Sequence, residues 1–532
     1  MSAEHSTALT ATPSAWAPLR VVAFRSLWLA LLASNIGTWM QTVGAQWLLV
    51  EQSGSDTLVA VVQTASTLPI VLFALASGAL ADTLDRRRLL IAVQSFLFGV
   101  GVLLTVLTLA GQMPATLLLT LTFALGAGQA LTAPAWQAII PELVPRSQLA
   151  SASALGAISM NLARAVGPAV AGVLIARTGA GVVFGLNALT FAAFTLVLWR
   201  WRPPVAGTAQ APERFAAAVR AGGRYVRHSP VVRRILLRAA FFLVPGSALW
   251  ALLPLVASRR LGLGSGGYGV LLGAVGVGAV AGALLLPRLR ARWSVNRLLL
   301  VAGVVFAVVL AVLALARSEV AVVAALLPAG VGWVMVLSSV NAAMQLFLPN
   351  WVRARGLAVY QMIFAGAQAA GALVWGALSD AYGLVAAHLA AAVVMAAGVL
   401  TLRWWPLRDT TGLNREPASY WPEPHLELDP DDHDGPVLVT ASYAVGPARE
   451  EEFVEAMEAV RRSRLRTGAV RWGLFRDGEE PSRFVEVYLV PSWDEHRRQH
   501  AGRLTGADQE AEERARALAD GPPDVSHLLS AR

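Results

Sequence analysis

One short stretch concentrates charge where the surrounding sequence is apolar. Gly78 and Asp82 close one apolar run, and Arg86, Arg87 and Arg88 open the next. A carboxylate at a helix end can accept hydrogen bonds from arginines or from the N-terminus of a facing helix, and so favour one packing of two helical bodies. Such a charged cluster between two apolar runs is typical of the cytoplasmic mouth of a membrane protein. A basic loop that only sets topology is the alternative.

Arg164 is the most specific single candidate for a functional residue, because it lies in the middle of another apolar run. It follows Asn161 by one helical turn. An unpaired charge inside a membrane is costly and usually functional. We therefore expect Arg164 to face a cavity or a partner. An anionic substrate group, a cluster of backbone carbonyls or a carboxylate from another helix would each satisfy it. A purely structural hydrogen-bond anchor is the alternative.

Several amide side chains on the apolar runs could line a central cavity or join helices by hydrogen bonds. These candidates for substrate or coupling contact are Asn35, Gln41, Gln63, Gln129, Gln137, Asn341, Gln345 and Gln361. A lining of amides and tryptophans suits a bulky amphipathic compound better than a sugar or a small ion. Acidic residues such as Glu51, Asp56 and Asp380 lie near the ends of runs, so the first two are only weak candidates for a titrating group.

The elements that carry these residues are long apolar segments. Of the 532 residues, 56% are hydrophobic and 14% are charged, which is not the composition of an ordinary soluble protein. Runs of roughly 20 residues, enough to cross a bilayer, lie near 26–50, 57–81, 89–110, 115–140, 149–175, 180–200, 235–257, 268–287, 297–316, 319–347, 357–379 and 384–404. The predicted fold class is an all-α polytopic membrane protein with twelve transmembrane helices in two six-helix halves.

Charge and cysteine content limit the function classes. The net charge of +9 comes from arginines alone, since the chain has no lysine. These arginines cluster in alternate loops between the runs, with Arg177, Arg259, Arg260 and Arg317 as exceptions. That distribution argues against a nucleic-acid partner and predicts that both termini are cytoplasmic. The absence of cysteine excludes a disulfide framework, a thiol nucleophile and a thiolate metal site. The first twenty residues show no signal peptide.

Glycine and proline positions indicate that the two halves are repeats. A single offset of 204 positions pairs residues on corresponding helices, which favours a parallel six-helix repeat. The pairs are Gly78 with Gly282, Gly126 with Gly330, Gly128 with Gly332, Pro145 with Pro349, Gly167 with Gly371, Gly172 with Gly376, and Gly179 with Gly383.

Composition shifts divide the chain into six segments: an N-terminal tail (1–20), the first half (21–202), a linker (203–234), the second half (235–405), a linker rich in proline and acid (406–436) and a soluble domain (437–532). Within the first linker, 213–228 is amphipathic and predicts a helix lying at the membrane interface, with an ordinary linker helix as the alternative. The order of strands and helices after 437 predicts a small ferredoxin-like α+β domain.

The motif at 78–88 resembles the signature between the second and third helices of the major facilitator superfamily, although Asp85 stands where glycine is usual. The segments Ala133-Pro134-Ala135-Trp136-Gln137 and Leu348-Pro349-Asn350-Trp351-Val352-Arg353-Ala354-Arg355 are similar to its transmembrane secretion effector branch, related to the enterobactin exporter. Gly167, Pro168 and Gly172 resemble a reduced antiporter signature, and physically they permit a bendable, closely packed helix. The resemblance implies a latch at Asp82 and Arg86 to Arg88, and proton antiport.

The C-terminal segment resembles dimeric α/β-barrel domains of the antibiotic-biosynthesis monooxygenase type by its pattern alone. Trp493, His496 and His500 are its most distinctive cluster, and the two histidines are one helical turn apart. That spacing permits a metal pair, but no third ligand is evident from the sequence. We expect a structural or interaction role, including dimerisation, and no metal.

These observations predict a secondary exporter of the cytoplasmic membrane that moves a hydrophobic or amphipathic small molecule, such as a drug, a siderophore or a secondary metabolite. Its partners would be the substrate, protons and the lipid bilayer, without a cofactor. The sequence shows no phosphate-binding glycine loop, which argues against an ATP-driven pump. The alternative is a membrane-tethered enzyme or sensor that acts through the C-terminal domain.

Overall fold

A computed structural model describes residues 16–202, 215–408, 412–414, 416, 418, 427–428, 430–431 and 434–531. The chain forms two compact units. One comprises Met1–Pro212, Ala239–Ser339 and Gln361–Trp404, and the other comprises Glu213–Arg238, Val340–Tyr360 and Trp405–Arg532.

Long helices follow one another from α1 to α6 and again from α8 to α13, and a shorter helix, α7, separates the two sets. Their bounds are α1 Val22–Gln52, α2 Asp56–Thr83, α3 Arg86–Leu109, α4 Ala115–Leu143, α5 Leu149–Thr178, α6 Ala180–Arg200, α7 Phe215–His228, α8 Pro230–Leu255, α9 Ser265–Arg290, α10 Val295–Leu315, α11 Glu319–Phe347, α12 Asn350–Tyr382 and α13 Leu384–Leu400.

Within the described residues, eleven helices are long and apolar enough to cross a membrane. The remaining long helix, α1, has 31 residues and packs with α5 and α6. It carries the buried polar side chains Ser34, Gln41 and Gln46. Exposed apolar side chains on the helices, including Val106, Val277 and Leu284, form the surface that lipid would cover. The predicted all-α polytopic membrane fold is confirmed.

Polar residues cap several of these helices where the sequence leaves the apolar runs. The hydroxyl of Ser55 accepts the amide of Leu58 at 3.3 Å, and the carboxylate of Asp85 accepts the amide of Arg88 at 2.7 Å. Each cap satisfies an amide at a helix N-terminus that has no partner within the helix. Gly179 and Gly383, paired by the repeat, both have a positive φ (82° and 87°) and join equivalent helices.

The two halves use equivalent glycines for equivalent contacts, which confirms the repeat. A Cβ at Gly167 of α5 would collide with the carbonyl of Ile36 in α1, and one at Gly371 of α12 would collide with the carbonyl of Val244 in α8. These glycines allow the helix backbones to approach closely. The sequence offset therefore corresponds to a real structural repeat.

Another repeated pair of glycines, Gly172 and Gly376, joins one half to the other. Gly172 of α5 lies against Gly269 of α9, so that a Cβ on either would meet the other's backbone. Gly376 of α12 lies against Thr57 and Ala60 of α2 in the same way. Two close helix pairs, α5 with α9 and α2 with α12, thus connect the halves.

The C-terminal part of the second unit is an antiparallel sheet with helices on one face. Its elements are β1 Val437–Ala444, α14 Glu450–Thr467, β2 Arg471–Arg476, β3 Arg483–Val490, α15 Trp493–Arg498, α16 Gly506–Ala517 and β4 Asp524–Leu529. The strand order is β2-β3-β1-β4, with Val437 opposite Val490 on one side and Leu529 on the other. This order is that of the predicted ferredoxin-like fold.

Two details of the predicted domain differ from the structure. The predicted helix at 492–502 is α15 followed by a π-helical turn, Gln499–Arg503, because Gly502 takes a non-helical conformation. The strand β4 was not predicted; it is a short edge strand that follows Pro522 and Pro523. The core beneath the sheet contains Phe453 and Met457.

Candidate functional site

Charged residues join the two halves at the end of the first unit where α1 stops and α2 begins, which we call the α1–α2 end. Asp56 opens α2 and is only 3% exposed. It forms an ion pair with Arg259, which lies in the π-helical turn Val256–Arg260 after α8. Arg259 also donates to the carbonyl of Gly54 at 3.0 Å. Arg259, from the second half, therefore binds the first turn of α2 and the residue just before it.

Asp380, near the end of α12, binds the same turn of α2. Its carboxylate accepts the amides of Asp56 at 2.6 Å and Thr57 at 3.0 Å, and the hydroxyl of Ser55 at 2.8 Å. A carboxylate at a helix N-terminus satisfies unpaired amides and interacts favourably with the helix dipole. The hydroxyl of Ser379 donates to Asp56 at 2.6 Å. We call Asp56, Arg259 and Asp380 the inter-half ion network.

A second layer of contacts lies deeper between α1, α8 and α9. The side-chain amide of Gln46 donates to the carbonyl of Trp250 at 3.1 Å, and the hydroxyl of Tyr268 donates to Gln46 at 2.7 Å. The ring of Trp47 stacks on Tyr268 at 5.9 Å between centroids. Because all these residues are buried or shielded, the halves are closed against each other at the α1–α2 end.

Polar contacts between the halves continue along α2 and α12. Gln63 donates to Gln368 at 3.4 Å, and the hydroxyl of Thr64 donates to the carbonyl of Ala369 at 2.8 Å. Of the amides predicted from the sequence, Gln63 is therefore one that lies between the halves.

Arg164 lies over an aromatic ring of the first half, which in turn contacts a group of rings from the second half. Its guanidinium lies over the ring of Trp39 at 5.3 Å, and its Nε is buried without a hydrogen-bond partner among the described residues. Trp39 contacts Trp250 at 6.0 Å between centroids, and Trp250 contacts Trp333 at 5.2 Å. Phe242 and Phe306 extend the group beyond Trp333. We call Arg164, Trp39, Trp250 and Trp333 the Arg164–tryptophan cluster.

Three of the predicted amides join helices within the first half. Asn35 donates to Ser159 at 3.1 Å, Gln129 donates to Thr38 at 3.2 Å, and Gln41 accepts from Asn187 at 2.5 Å. In the second half, Gln345 donates to Asn341 at 3.3 Å within α11. Asn161, Gln137 and Gln361 are exposed on their helices.

The predicted latch residues have partners within the first half. Arg86 pairs with Glu142 at 2.7 Å, and Arg87 donates to the carbonyls of Leu198 and Trp199 at 2.9 and 2.6 Å. These contacts tie the start of α3 to the ends of α4 and α6. The surroundings of Gly78 and of the Asp82 side chain lie outside what the structure describes. Arg88 is exposed at the start of α3.

In the second unit, α7 packs against the C-terminal domain rather than presenting all its arginines to a membrane. Arg224 pairs with Glu495 at 2.5 Å, and Glu495 also accepts both terminal nitrogens of Arg503 at 2.7 and 2.9 Å. Arg503 lies over the ring of Trp351 at 4.8 Å, and Trp351 meets Tyr225 edge-on at 5.6 Å. These five residues form what we call the α7 contact network.

Electrostatics stabilise the α7 contact network. Burial alone would raise the pKa of Glu495, but the hydrogen bonds and charges of Arg503 and the charge of Arg224 outweigh it and hold that pKa below its usual value. Arg466 pairs with the buried Asp508 and lies over the ring of Tyr225 at 5.7 Å. The sequence could not show this docking, because amphipathic periodicity does not distinguish a membrane surface from a protein surface.

The domain core contains a buried charge cluster. Arg464, 2% exposed, pairs with Glu486 at 3.2 Å and Glu512 at 2.6 Å. Trp472 and Tyr443 donate to Glu486 at 2.8 and 3.3 Å. Burial lowers the pKa of Arg464, but the two carboxylates more than offset it and raise that pKa well above its usual value.

The predicted histidine pair is joined by a third histidine from β4. The ring of His496 lies 4.8 Å from that of His500 and 5.0 Å from that of His527, and Trp493 lies beside them. Burial lowers the pKa of His496 to about 3 and that of His500 to about 2. Among the residues that the structure describes, no group of three or more ligating side chains has an arrangement that could hold a metal ion.

Sequence reasoning missed the inter-half ion network, although it recorded each member as a charge near the end of a run. One signal was available. Arg259 and Arg260 are basic residues in a loop of the side that otherwise carries little basic charge. A cation that opposes the topological rule needs a specific partner, and Asp56 is that partner.

The fold and the contacts between its halves define a class of protein, the polytopic transporters built from two repeated six-helix bundles. The chain belongs to the transmembrane secretion effector family of the major facilitator superfamily, whose profile matches residues 13–532. This is a family of transporters, in agreement with the interpretation of the chain as a transporter rather than an enzyme.

Curated relatives include a staphyloferrin A transporter of Staphylococcus aureus, 24% identical over 48% of this chain and 64% of the relative. A macrolide efflux protein A of Streptococcus pyogenes is 23% identical over 44% of this chain and 58% of its own length. The match thus spans about three fifths of these relatives. A multidrug efflux pump, Tap, of Mycolicibacterium fortuitum is 27% identical over 71% of this chain and 93% of its own length.

Solved structures share the fold at low identity. A bacterial homologue of the human lysosomal transporter Spinster, in an inward-facing and unoccupied conformation, has a TM-score of 0.57 at 16% identity, covering 73% of this chain and 95% of that one. A POT family transporter in complex with 5-aminolevulinic acid has a TM-score of 0.59 at 12% identity, covering 72% and 96%.

Proposed function

We propose that the chain is a secondary active transporter that exports a hydrophobic or amphipathic small molecule by alternating access, coupled to protons. The observation that carries this proposal is the inter-half ion network. It joins the halves at one end through charged and hydroxyl groups, which can separate into water far more easily than a continuous apolar interface. The seal is therefore of a kind that can open and close during a transport cycle.

From the arginine-rich loops we infer that the α1–α2 end faces the outer side of the cytoplasmic membrane and that both termini are cytoplasmic. In that orientation, the inter-half ion network is an outer gate, and the conformation described is closed to the outside. The predicted latch of Asp82 with Arg86, Arg87 and Arg88 is then the corresponding device at the cytoplasmic end. It would favour the opposite, outward-open state.

Asp56 is our candidate for the proton-coupling residue. Its carboxylate is buried at the contact between the halves, pairs with Arg259 and accepts from the hydroxyl of Ser379, while Asp380 binds the backbone amide of the same residue. Protonation of Asp56 would remove its attraction for Arg259 and weaken the outer gate. The protonation state of Asp56 would therefore bias the equilibrium between the closed and the open outer gate.

The relatives bear on the substrate only as a class. Their names include a staphyloferrin A transporter, macrolide efflux proteins and multidrug efflux pumps. They support a drug, a siderophore or a secondary metabolite as the substrate of this chain. The placement beside the enterobactin exporter, inferred from residues 133–137 and 348–355, remains a prediction.

We also propose that the C-terminal domain mediates dimerisation, as in the monooxygenase-type barrels it resembles. The support is its sheet, whose helix-free face carries partly exposed Leu438, Val485, Val487 and Leu489. Phe475 and Leu528 at the two edges are 60% and 50% exposed. Mass measurement of the full-length protein in nanodiscs tests this proposal. A Phe475→Ser and Leu528→Ser double variant should be monomeric, and a wild-type monomer would refute it.

Transport itself is tested in inverted membrane vesicles that contain the full-length protein. A panel of labelled amphipathic compounds is offered with and without an imposed proton gradient. We expect at least one compound to accumulate only when the gradient is present, and Asp56→Asn to abolish the dependence on that gradient. Accumulation that is independent of the gradient in the wild type would refute proton coupling, and no accumulation across a broad panel would argue against export.

A further inference from the structure

The Arg164–tryptophan cluster contains hydrogen-bond donors that the described residues do not satisfy. The Nε of Arg164 and the indole N–H groups of Trp250 and Trp333 are all buried without a hydrogen-bond partner. They come from α5, α8 and α11, and therefore from both halves. Three buried donors in one cluster are unusual, because the great majority of buried polar side-chain atoms are hydrogen-bonded.

The side chains that carry these donors contact aromatic rings, which are weak acceptors. Arg164 lies over Trp39, and Trp250 meets Trp333 edge-on with an angle of 64° between the rings. A ring face offers a guanidinium or an N–H group only a fraction of what a carboxylate offers. A cation held inside the membrane by a ring alone retains most of its cost of desolvation.

The three unsatisfied groups of the Arg164–tryptophan cluster are all hydrogen-bond donors. This limits the chemistry of a ligand that could bind there. A ligand that complements them must bring acceptors, and the positive charge of Arg164 favours an acceptor that carries negative charge. The surrounding rings of Trp39, Trp250, Trp333 and Phe306 favour a flat apolar or aromatic body beside that group.

We propose that the Arg164–tryptophan cluster binds an organic anion in which a carboxylate, or another oxyanion of similar size, is attached to an aromatic body. The anionic group lies at Arg164 and accepts from the indole N–H groups, and the aromatic body lies among the rings. This inference rests on the proposed function, since the ligand it describes is the exported substrate. It selects the anionic members from the wider class of amphipathic compounds.

The test is a binding measurement on the full-length protein in nanodiscs, with 2-naphthoate and its neutral counterpart 2-naphthamide as probes. The two probes have the same ring system and differ in charge, and quenching of tryptophan fluorescence reports their binding. We expect the wild type to prefer the carboxylate by about tenfold or more, which is the discrimination a charge-assisted hydrogen bond gives.

Single substitutions test which residues cause the preference for the carboxylate probe. Arg164→Gln should abolish the preference for the carboxylate, and Arg164→Lys should restore part of it, because lysine keeps the charge but not the planar stacking. Trp250→Phe removes an N–H group and keeps an aromatic ring, so it should reduce the preference by a few-fold. Arg177→Gln, at an exposed arginine on the same helix, should change nothing.

Equal binding of the two probes by the wild type, or an unchanged preference in Arg164→Gln, would overturn the inference. Because binding is measured without transport, the two proposals can fail separately. A preference for the carboxylate without export by vesicles would sustain the site and refute the exporter. Export of neutral compounds by vesicles, without any preference for 2-naphthoate in binding, would support the exporter and refute the anion site.

Discussion

At the scale of single residues, the inter-half ion network combines groups with very different solvent exposure. The side chain of Asp56 is 4% exposed, whereas that of Arg259 is 44% exposed. Removing Arg259 would therefore leave a buried carboxylate without its cation. This costs more free energy than replacing both partners by apolar side chains, because a buried charge stays uncompensated. The pair also depends on Asp380, which positions the first turn of α2.

We predict that Arg259→Gln shifts the equilibrium away from the outward-closed state by about 1–2 kcal/mol, or roughly 5- to 30-fold, a typical effect for a partly exposed ion pair between two states. The chain has no cysteine, so a single Ala60→Cys reports this equilibrium. Ala60 is buried against Gly376, and its labelling by an impermeant maleimide should accelerate by that factor.

Arg317→Gln serves as the control, because Arg317 is an exposed arginine of the second half outside the network. It should leave the labelling rate unchanged. If Arg259→Gln also left the rate unchanged, the ion pair would not hold the gate.

The buried histidines make the C-terminal domain sensitive to acid. The usual pKa is 6.5, and the folded state lowers it to about 3 for His496 and about 2 for His500. Below pH 6.5 the unfolded state therefore binds more protons than the folded state. Stability is fully present above that pH and falls as the pH decreases toward the folded values, by at most about 1.4 kcal/mol per pH unit for each histidine.

We predict that the amides of β1 and β3 lose protection from hydrogen exchange as the pH falls from 6.5 to 4, after correction for the intrinsic exchange rate. The full-length protein is used, and His496→Phe should reduce the slope. A protection pattern that is independent of pH in this window would contradict the prediction.

At the scale of helices, closure depends on glycines that let backbones of opposite halves touch. Gly172 and Gly269 bring α5 to α9, and Gly376 brings α12 to α2. A larger side chain at these positions would hold the helices apart by its own width, because neither neighbour is the movable end of a flexible side chain.

We predict that Gly172→Leu prevents closure at the α1–α2 end and reduces export about tenfold or more, since roughly 1.4 kcal/mol against the closed state suffices for that factor. Export from vesicles measures the effect. Gly156→Leu on the same helix is the control, because a Cβ at Gly156 meets nothing within 4 Å. Equal export by both variants would show that the close approach is dispensable.

The α7 contact network operates on elements rather than single residues, because it holds a linker helix and the start of α12 against one domain. Glu495 is its centre, since it accepts hydrogen bonds from both Arg224 and Arg503. Its side chain is 12% exposed, so its ion pairs are less screened than those at the surface.

We predict that Glu495→Gln loosens α7, with hydrogen exchange in 220–228 accelerating about tenfold while β1 and β3 stay protected. Asp494→Asn is the control, because Asp494 lies next to Glu495 in α15. It removes an exposed ion pair with Arg498 and should have no effect on α7. Equal exchange in the two variants would mean that α7 docks without this carboxylate.

At the scale of the whole molecule, the sequence carried most of the fold and little of the site. Long apolar runs and the offset of 204 positions were sufficient to predict two six-helix halves. Each span can be identified from consecutive residues, and the repeat from matching positions, without knowledge of the packing. The inter-half ion network was not predictable, since Asp56, Arg259 and Asp380 are far apart in sequence and meet only when the halves pack. Arg164 was found from the sequence, whereas its tryptophan neighbours on other helices were not.

We propose that the two halves close at one end at a time. The cysteine-free chain allows spin labels to be placed in pairs, at Gln52→Cys with Tyr382→Cys for the α1–α2 end, and at Leu84→Cys with Arg292→Cys for the opposite end. All four positions are exposed.

Pulsed electron paramagnetic resonance then measures both distances in nanodiscs, with and without Asp56→Asn. We predict reciprocal changes: Asp56→Asn lengthens the distance at the α1–α2 end and shortens the other. Distances that stay fixed at both ends, or lengthen together, in a protein that still exports would contradict alternating access through this gate.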